Sequence, residues 1–198
     1  MGHSDYKGIE VSALAIQAIF EGFQASSTLA SKLLLDEGLG EVGPDGQVRI
    51  ERSGWYPLDR CLRVIEQISA NLGDLVLYQI GLTVAESAVY PEWVKDIHDA
   101  IGSIDAAYHA SHRREGQPSL DPVTGGLMEE LGHYGCERVV GKSQIRSVVS
   151  SPYPCAFDRG LLSARARRFQ ENAWVFHDDT RPCRKKGQEN CTYLITWV

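Results

Sequence analysis

The hydrophobic residues of this chain repeat with one period in its first half and with another in its second half. Apolar side chains first recur three and four residues apart, as on one face of a helix; they are Ile16, Ile19, Phe20 and Phe23, then Leu58, Cys61, Leu62, Ile65, Ile68 and Leu72. Beyond residue 130, short β-rich runs and segments of alternating side chains replace this pattern, as expected of strands. The change of period predicts an α+β fold.

Start and stop signals divide the first half into helices. Pro57 stands where the first turn of the second helix would begin, and Gly73 stands where that helix would end. A third helix is predicted over residues 74–88, with Pro91 as its stop signal. A long fourth helix is then predicted over residues 92–112.

The second half predicts a sheet and one further helix. The runs "LGHYGCERVV" and "QIRSVVSS" flank "GKS" and predict a hairpin, and a helix follows over residues 158–170. The alternating segments "NAWVFH" and "TYLITWV" predict a second hairpin. We therefore expect several N-terminal helices packed on one antiparallel sheet of about four strands.

The length suits a single domain. A chain of 198 residues is long enough for one sizeable core and short for two. We expect one ligand-binding domain over residues 1–198, with a helical part at 9–113 and a part at 125–198 that holds the sheet, a helix and a cysteine-bearing loop.

Charge and hydropathy exclude several classes of partner. The net charge of −6 argues against nucleic acid. Basic residues do gather near the C-terminus, but no aromatic residues interleave them at stacking spacing, so a solvated surface is the simpler interpretation. The longest stretch without a charged side chain has 11 residues, well short of the roughly 20 that a membrane-spanning helix needs. We expect neither a nucleic-acid nor a membrane partner.

The N-terminus and the cysteine count predict a cytoplasmic location. No basic segment followed by an apolar one opens the chain, and "GHS" at positions 2–4 reads as a cloning remnant. Five cysteines is an odd number, and without export a disulfide framework is not expected. Thiols or metal-bound thiolates are the alternatives.

Three of the five cysteines lie in two short stretches near the C-terminus. Cys183 and Cys191 stand near the two ends of the loop between the last two predicted strands, and Cys155 follows Pro154 just before a predicted helix. Zinc binds thiolates in a tetrahedral shell of four ligands and would close this long polar loop. Three unligated, partly buried thiols are the alternative, and the spacing alone leaves both interpretations open.

The order of these residues resembles the 4-vinyl-reductase-like domain family. The resemblance is carried by Pro152, Cys155 and Gly160, then "ENAWVFH", then a cysteine pair around Gly187, then "CTYLITW". That family is similar to the sensor domains of aromatic-responsive bacterial transcription activators and to a vesicle-tethering complex subunit. It shares its general shape with haem nitric-oxide-binding domains. The resemblance implies a small-molecule sensor with a structural zinc.

The resemblance also implies a ligand set for the metal. In the aromatic sensors, three cysteines and a Glu hold zinc, and the Glu lies three residues before the cysteine pair. Thr180 occupies that position here, so this sequence departs from the pattern. The three cysteines carry over, and we predict Asp179 as the fourth ligand, with Asp178 and His177 as the alternatives.

The fourth helix carries a second concentration of polar chemistry beside an apolar stripe. His98, Asp105, His109 and His112 follow one another at spacings of 7, 4 and 3 residues, so they share one face. Such a face can bind a metal or haem iron, or it can be a solvated helix surface. We predict an apolar cavity for a small hydrophobic or aromatic molecule, lined by His109, Tyr108, Trp93 and Tyr56.

The sequence supports three classes of function. The leading one is a non-enzymatic sensor that binds a small hydrophobic or aromatic molecule and carries a structural zinc. A haem-binding gas or redox sensor is the alternative, favoured by the histidines. A reductase-like enzyme is the third, although no nucleotide-binding, nucleophile-elbow or metalloprotease motif is found.

A homodimer is also predicted. The first helices carry more apolar positions than one face of a two-layer domain would easily bury; they are Leu14, Ile16, Ile19, Phe20, Phe23, Leu29, Leu33, Leu34 and Leu35.

Overall fold

The computed structural model describes residues 6–23, 27–86 and 88–198, so the "GHS" segment lies outside the described residues. The helices are α1 (Ala13–Glu21), α2 (Ser27–Asp36), α3 (Leu58–Leu72), α4 (Asp74–Glu86), α5 (Ile97–Ala110) and α6 (Cys155–Arg167). The strands are β1 (Ile9–Ser12), β2 (Glu41–Val42), β3 (Val48–Arg49), β4 (Trp55–Pro57), β5 (His112–Arg114), β6 (Gln117–Pro118), β7 (Glu137–Arg138), β8 (Gln144–Val149), β9 (Trp174–His177) and β10 (Cys191–Thr196).

The fourth predicted helix begins five residues later than the sequence pattern indicates. Asp96 is its N-cap and accepts a hydrogen bond from the backbone N–H of Asp99 at 2.9 Å, so the helix begins after this side chain. Trp93 therefore lies in a turn before α5 and is 55% exposed. At the other end, His112 lies in β5 rather than on the helix.

The C-terminal half forms the predicted antiparallel sheet. Its strand order is β7-β8-β10-β9, and both predicted hairpins are confirmed, with β7 shorter than expected. Tyr193 and Ile195 of β10 are fully buried, whereas Trp174 and Phe176 of β9 are exposed and stack on each other. One face of the sheet thus covers the core and the other faces outward.

A second sheet was not predicted from the sequence. Strand β1 lies between β4 and β5 in the order β4-β1-β5-β6. Its four residues "IEVS" alternate buried and half-buried side chains, but so short a run carries little periodic signal. The sheet joins the N-terminal strand to the end of α5 and thereby fixes that helix.

Helices α4 and α6 cross at two glycines. A Cβ atom on Gly81 would overlap the backbone oxygen of Phe157, and one on Gly160 would overlap the backbone oxygen of Tyr78. The two backbones therefore approach more closely than any side chain would allow. This crossing fixes α6, whose first residue is Cys155.

Most of the surface that suggested a homodimer is buried within one chain. Ile16, Ile19, Phe23, Leu33 and Leu34 belong to the core. Leu14 is 69% exposed. Because the other five are buried, the exposed apolar surface of the first helices is smaller than the sequence indicates. The homodimer stays a prediction.

The hydrophobic segments are short. Among the described residues, none of the helices has the length and apolar character needed to cross a membrane.

Candidate metal centre

Three buried sulfur atoms converge at the N-terminus of α6. Cys155 lies in the first turn of α6, Cys183 lies in the β9–β10 loop (residues 178–190), and Cys191 begins β10. The Sγ–Sγ distances are 3.2 Å between Cys155 and Cys191 and 3.8 Å for the other two pairs. A tetrahedral zinc site with Zn–S bonds of about 2.3 Å places its sulfurs about 3.8 Å apart. The cluster therefore has the dimensions of a thiolate metal site.

His177 provides a fourth donor. A ring nitrogen of His177 lies with the three sulfurs in a group whose ligand atoms are all within 4.8 Å of one another. Nδ1 is 2.7 Å from the carboxylate oxygen Oδ1 of Asp179, and Nε2 is buried with no hydrogen-bond partner among the described residues. A ligating histidine commonly donates its other N–H to a carboxylate in this way.

The predicted fourth ligand, Asp179, does not lie in this group. Its side chain is 83% exposed and contacts the outer nitrogen of His177. Asp178 is turned back into its own loop, where it accepts hydrogen bonds from the backbone N–H and hydroxyl of Thr180. Because His177 ends strand β9 with its ring toward Tyr193, the strand brings this residue to the sulfurs and leaves the next two residues outside.

A buried ion pair adjoins the sulfurs. Arg184 pairs with Asp158, donates to the backbone and hydroxyl oxygens of Ser151, and places its backbone N–H 3.4 Å from the Cys191 sulfur. The Asp158 side chain is fully buried and also accepts a 2.6 Å hydrogen bond from Tyr134. This network joins the β9–β10 loop to α6. The positions of its residues in the sequence do not predict it.

Hydrogen bonds shift the pKa values of Cys155 and Cys191 in opposite directions. The Cys155 thiol, followed by the side chain and backbone of Arg184, holds the pKa of Cys191 well below its ordinary value. The same contact with Cys191, together with burial, raises the pKa of Cys155. Of these two thiols Cys191 is therefore the more readily deprotonated, and thiolate is the form that binds metal.

A cavity of about 210 Å³ opens beside the cluster. It lies between α3, the segment 151–155 and the β9–β10 loop, and its lining includes Leu62, Tyr153, Cys155 and Arg184. A second hollow of about 500 Å³ lies against α1 and β3, and its lining mixes charged residues such as Arg49 and Glu51 with the apolar Phe20, Val48 and Ile50. The first combines apolar walls with convergent polar groups, as small-molecule sites do.

The predicted ligand-binding residues lie in different parts of the described structure. Tyr108 and His109 are buried and adjacent, with ring centroids 5.2 Å apart. Trp93 is mostly exposed, and Tyr56 lies in β4, where its hydroxyl accepts a hydrogen bond from the backbone of Glu51. Neither cavity described above is lined by these four residues. The helical spacing predicted Trp93 on the fourth helix, but that helix begins at Ile97.

The buried imidazoles of His109 and His112 are engaged with other groups. His112 uses both ring nitrogens, one toward the Tyr108 carbonyl at 2.7 Å and one toward the Tyr153 hydroxyl at 3.0 Å. His109 packs against the rings of Tyr108 and His133 and places Nε2 3.1 Å from the Gly132 carbonyl. Neither imidazole lines the described cavities. As arranged here, the described residues do not fit a haem.

Comparison with known proteins identifies the fold. No protein-family model matches the chain, and no curated protein matches it. The H-NOX protein from S. oneidensis in the Fe(II) ligation state is similar in structure, with a TM-score of 0.61 and 15% identity over 94% of this chain and 96% of that chain. The unliganded Fe(II) H-NOX protein from K. algicida has a TM-score of 0.58 and 14% identity over 93% and 95%.

The chain therefore has an H-NOX-like α+β fold, and the predicted fold class is confirmed. At this level of identity the likeness shows the fold alone. The more specific resemblance to the 4-vinyl-reductase-like family has no family match behind it and stays a prediction.

Proposed function

We propose that this chain is a non-enzymatic sensor domain that binds a small molecule and carries one structural zinc ion. The proposal rests chiefly on the convergence of Cys155, Cys183, Cys191 and His177 within 4.8 Å. Four donors of this kind match a closed structural zinc site, and a closed site leaves no open position for catalysis.

The zinc would hold an otherwise weakly packed loop. The β9–β10 loop is mostly exposed apart from Cys183, so it buries little apolar surface of its own. A metal that joins the loop to the first turn of α6 supplies the missing stability. His177 would be kept in the correct tautomer by Asp179.

The ligand would occupy the cavity beside the zinc. Its wall includes Cys155 from the metal group and Arg184 from the loop that the metal closes. A volume of about 210 Å³ suits a small aromatic or hydrophobic compound, and Tyr153 and Leu62 offer apolar contact. The metal and the ligand would therefore stabilise the same loop.

A haem-binding gas sensor is the second candidate. It is favoured by the fold, since the similar H-NOX structures include the S. oneidensis protein in the Fe(II)NO ligation state, with a TM-score of 0.60 and 16% identity. His109 and His112 would have to leave their present partners before either could ligate iron.

Metal analysis and an absorption spectrum of the native protein test both candidates. We expect zinc at about one per chain in protein isolated without chelator, no Soret band, and loss of that zinc in Cys183→Ser. Cys136→Ser is the matched control, because Cys136 is exposed and lies outside the metal group. A Soret band with stoichiometric iron would favour the haem sensor, and negligible zinc in the wild type would refute the structural site.

A further inference from the structure

A second group of candidate metal ligands lies between α5 and the segment 128–134. Asp105 and His109 occupy successive turns of α5, and His133 lies in the segment that follows the short 3-10 turn Glu129–Leu131. Ligand atoms of these three residues lie within 4.8 Å of one another. The Asp105 carboxylate is 3.0 Å from Nδ1 of His133 and 3.7 Å from Nε2 of His109.

The surrounding contacts orient these donors. The backbone N–H of Tyr134 donates to Oδ1 of Asp105 at 2.9 Å, so the carboxylate is fixed from the segment that carries His133. Nε2 of His133 lies 3.1 Å from the carboxylate of Glu129. If Nδ1 binds a metal, Glu129 is therefore the carboxylate that accepts the other N–H, as is usual for ligating histidines.

Burial and exposure are distributed as a binding site requires. The His109 side chain is fully buried, whereas those of Asp105 and His133 are 21% and 31% exposed. An ion can therefore approach from solvent and meet a fixed imidazole. The Gly132 carbonyl lies 3.1 Å from Nε2 of His109, so this contact has to give way before that nitrogen binds an ion.

The group is also short of positive charge. The ion-pair partners of Asp105 and Glu129 among the described residues are imidazoles, His109 and His133 for the first and His133 for the second. In the described part of the chain the two carboxylates thus have imidazoles, and no Lys or Arg, as ion-pair partners.

We propose that Asp105, His109 and His133 bind a divalent transition-metal ion. Two imidazoles and one carboxylate suit zinc, cobalt, nickel or ferrous iron, and water would complete the shell on the exposed side. The ion would join α5 to the segment 128–134, independently of the thiolate site. A purely hydrogen-bonded His–Asp–His arrangement is the competing explanation.

Cobalt titration of reduced, metal-free protein separates the two explanations. We expect two equivalents of Co²⁺ to bind, of which one gives the intense sulfur-to-cobalt absorption of a thiolate site and the other does not. His133→Gln should retain the sulfur band and weaken the second equivalent by about 100-fold. Glu129→Gln should weaken it by about 10–100-fold through the outer contact.

Two further variants serve as checks on the cobalt titration. Asp105→Asn removes the charge and can still accept the Tyr134 N–H, so it should fold and lose the second equivalent. His98→Gln is the matched control, since His98 lies on the same helix outside the group, and it should bind both equivalents.

The outcomes also separate this site from the thiolate site. Cys183→Ser should lose the sulfur band and retain the second equivalent, which would hold even if zinc is absent from the native protein. A wild type that binds only the equivalent with the sulfur band would overturn the proposal. Unchanged binding of both equivalents in Asp105→Asn and His133→Gln would overturn it too.

Discussion

The carboxylate of Asp179 lies 2.7 Å from the outer ring nitrogen of His177, while the inner nitrogen of that ring is buried toward three sulfur atoms. The acidic residue that the sequence favours as a metal ligand is therefore one contact away from that role. An exposed carboxylate behind the imidazole fixes its orientation.

This relationship predicts a graded effect on zinc affinity. His177→Ala should remove a ligand, whereas Asp179→Asn should lower zinc affinity by about 10–100-fold, because it weakens only the outer contact. Competition with a chromophoric chelator measures both. Asp178→Asn is the control, since Asp178 bonds within its own loop. Equal affinities in His177→Ala and the wild type would exclude His177 as a ligand.

The crossing of α4 and α6 predicts opposite effects for two glycine substitutions. Gly160→Ala should lower the free energy of unfolding by about 1–3 kcal/mol or more, because the new methyl group meets the backbone of Tyr78. Gly102→Ala in α5 meets nothing within 4 Å and should stabilise by about 0.5–1 kcal/mol. Urea denaturation measures both, and equal effects would contradict the close crossing.

The buried ion pair predicts a large loss of stability when one partner is removed. Asp158→Ala leaves the largely buried Arg184 guanidinium without its carboxylate, which should cost about 3–5 kcal/mol. Glu137→Ala breaks the exposed pair with Arg146 and should have little effect. Chemical denaturation of metal-loaded protein makes the comparison. A small effect of Asp158→Ala would mean that the pair does not hold the loop.

The burial of His112 predicts that the free energy of unfolding falls in mild acid. Burial lowers its pKa to about 4 in the folded state, below the ordinary value of about 6.5. Above pH 6.5 the His112 ring is neutral in both the folded and the unfolded protein. Between pH 6.5 and 4 the ring is protonated in the unfolded protein but stays neutral in the folded one. The free energy of unfolding should therefore drop by about 3 kcal/mol over this range. Denaturation at pH 7.5 and 4.5 should show a smaller drop in His112→Gln; an identical drop would assign the effect elsewhere.

The cavity beside the sulfurs predicts a ligand-dependent rise in melting temperature. A small aromatic compound that binds only the folded form should stabilise by about 2.7 kcal/mol at 100 times its Kd. Leu62→Trp should abolish the shift, because the larger ring fills the space between α3 and the segment 151–155. Leu75→Trp on the exposed start of α4 is the control. A shift that persists in Leu62→Trp would place the ligand elsewhere.

Periodicity predicted most of the helices and the C-terminal sheet because both bury one regular face over many residues. Helix α3 runs from Leu58 to Leu72, as Pro57 and Gly73 indicate. The predicted start of α5 was wrong because a local hydrogen bond to Asp96 decides where this helix begins. The hydrophobic repeat does not reveal such a bond. Strand β1 was missed because its partners β4 and β5 are remote in sequence.

The candidate site divides in the same way. The sequence predicted the three cysteines together, and the structure brings their sulfurs into one group. The choice between His177 and Asp179 depends on which side of β9 faces the sulfurs, and only strand pairing with Tyr193 and Thr192 fixes that. The contribution of Arg184 could not be predicted, because nothing in the sequence distinguishes a buried arginine from the exposed basic residues beside it.

Strand β10 lies between β8 and β9 although it follows both in the chain. A ribosome therefore releases β8, α6 and β9 before the strand that joins them exists. Cys191, at the start of β10, also reaches its partners only at that moment. Until β10 has been made, the growing chain exposes two unpaired strand edges, which are sites at which chains can aggregate.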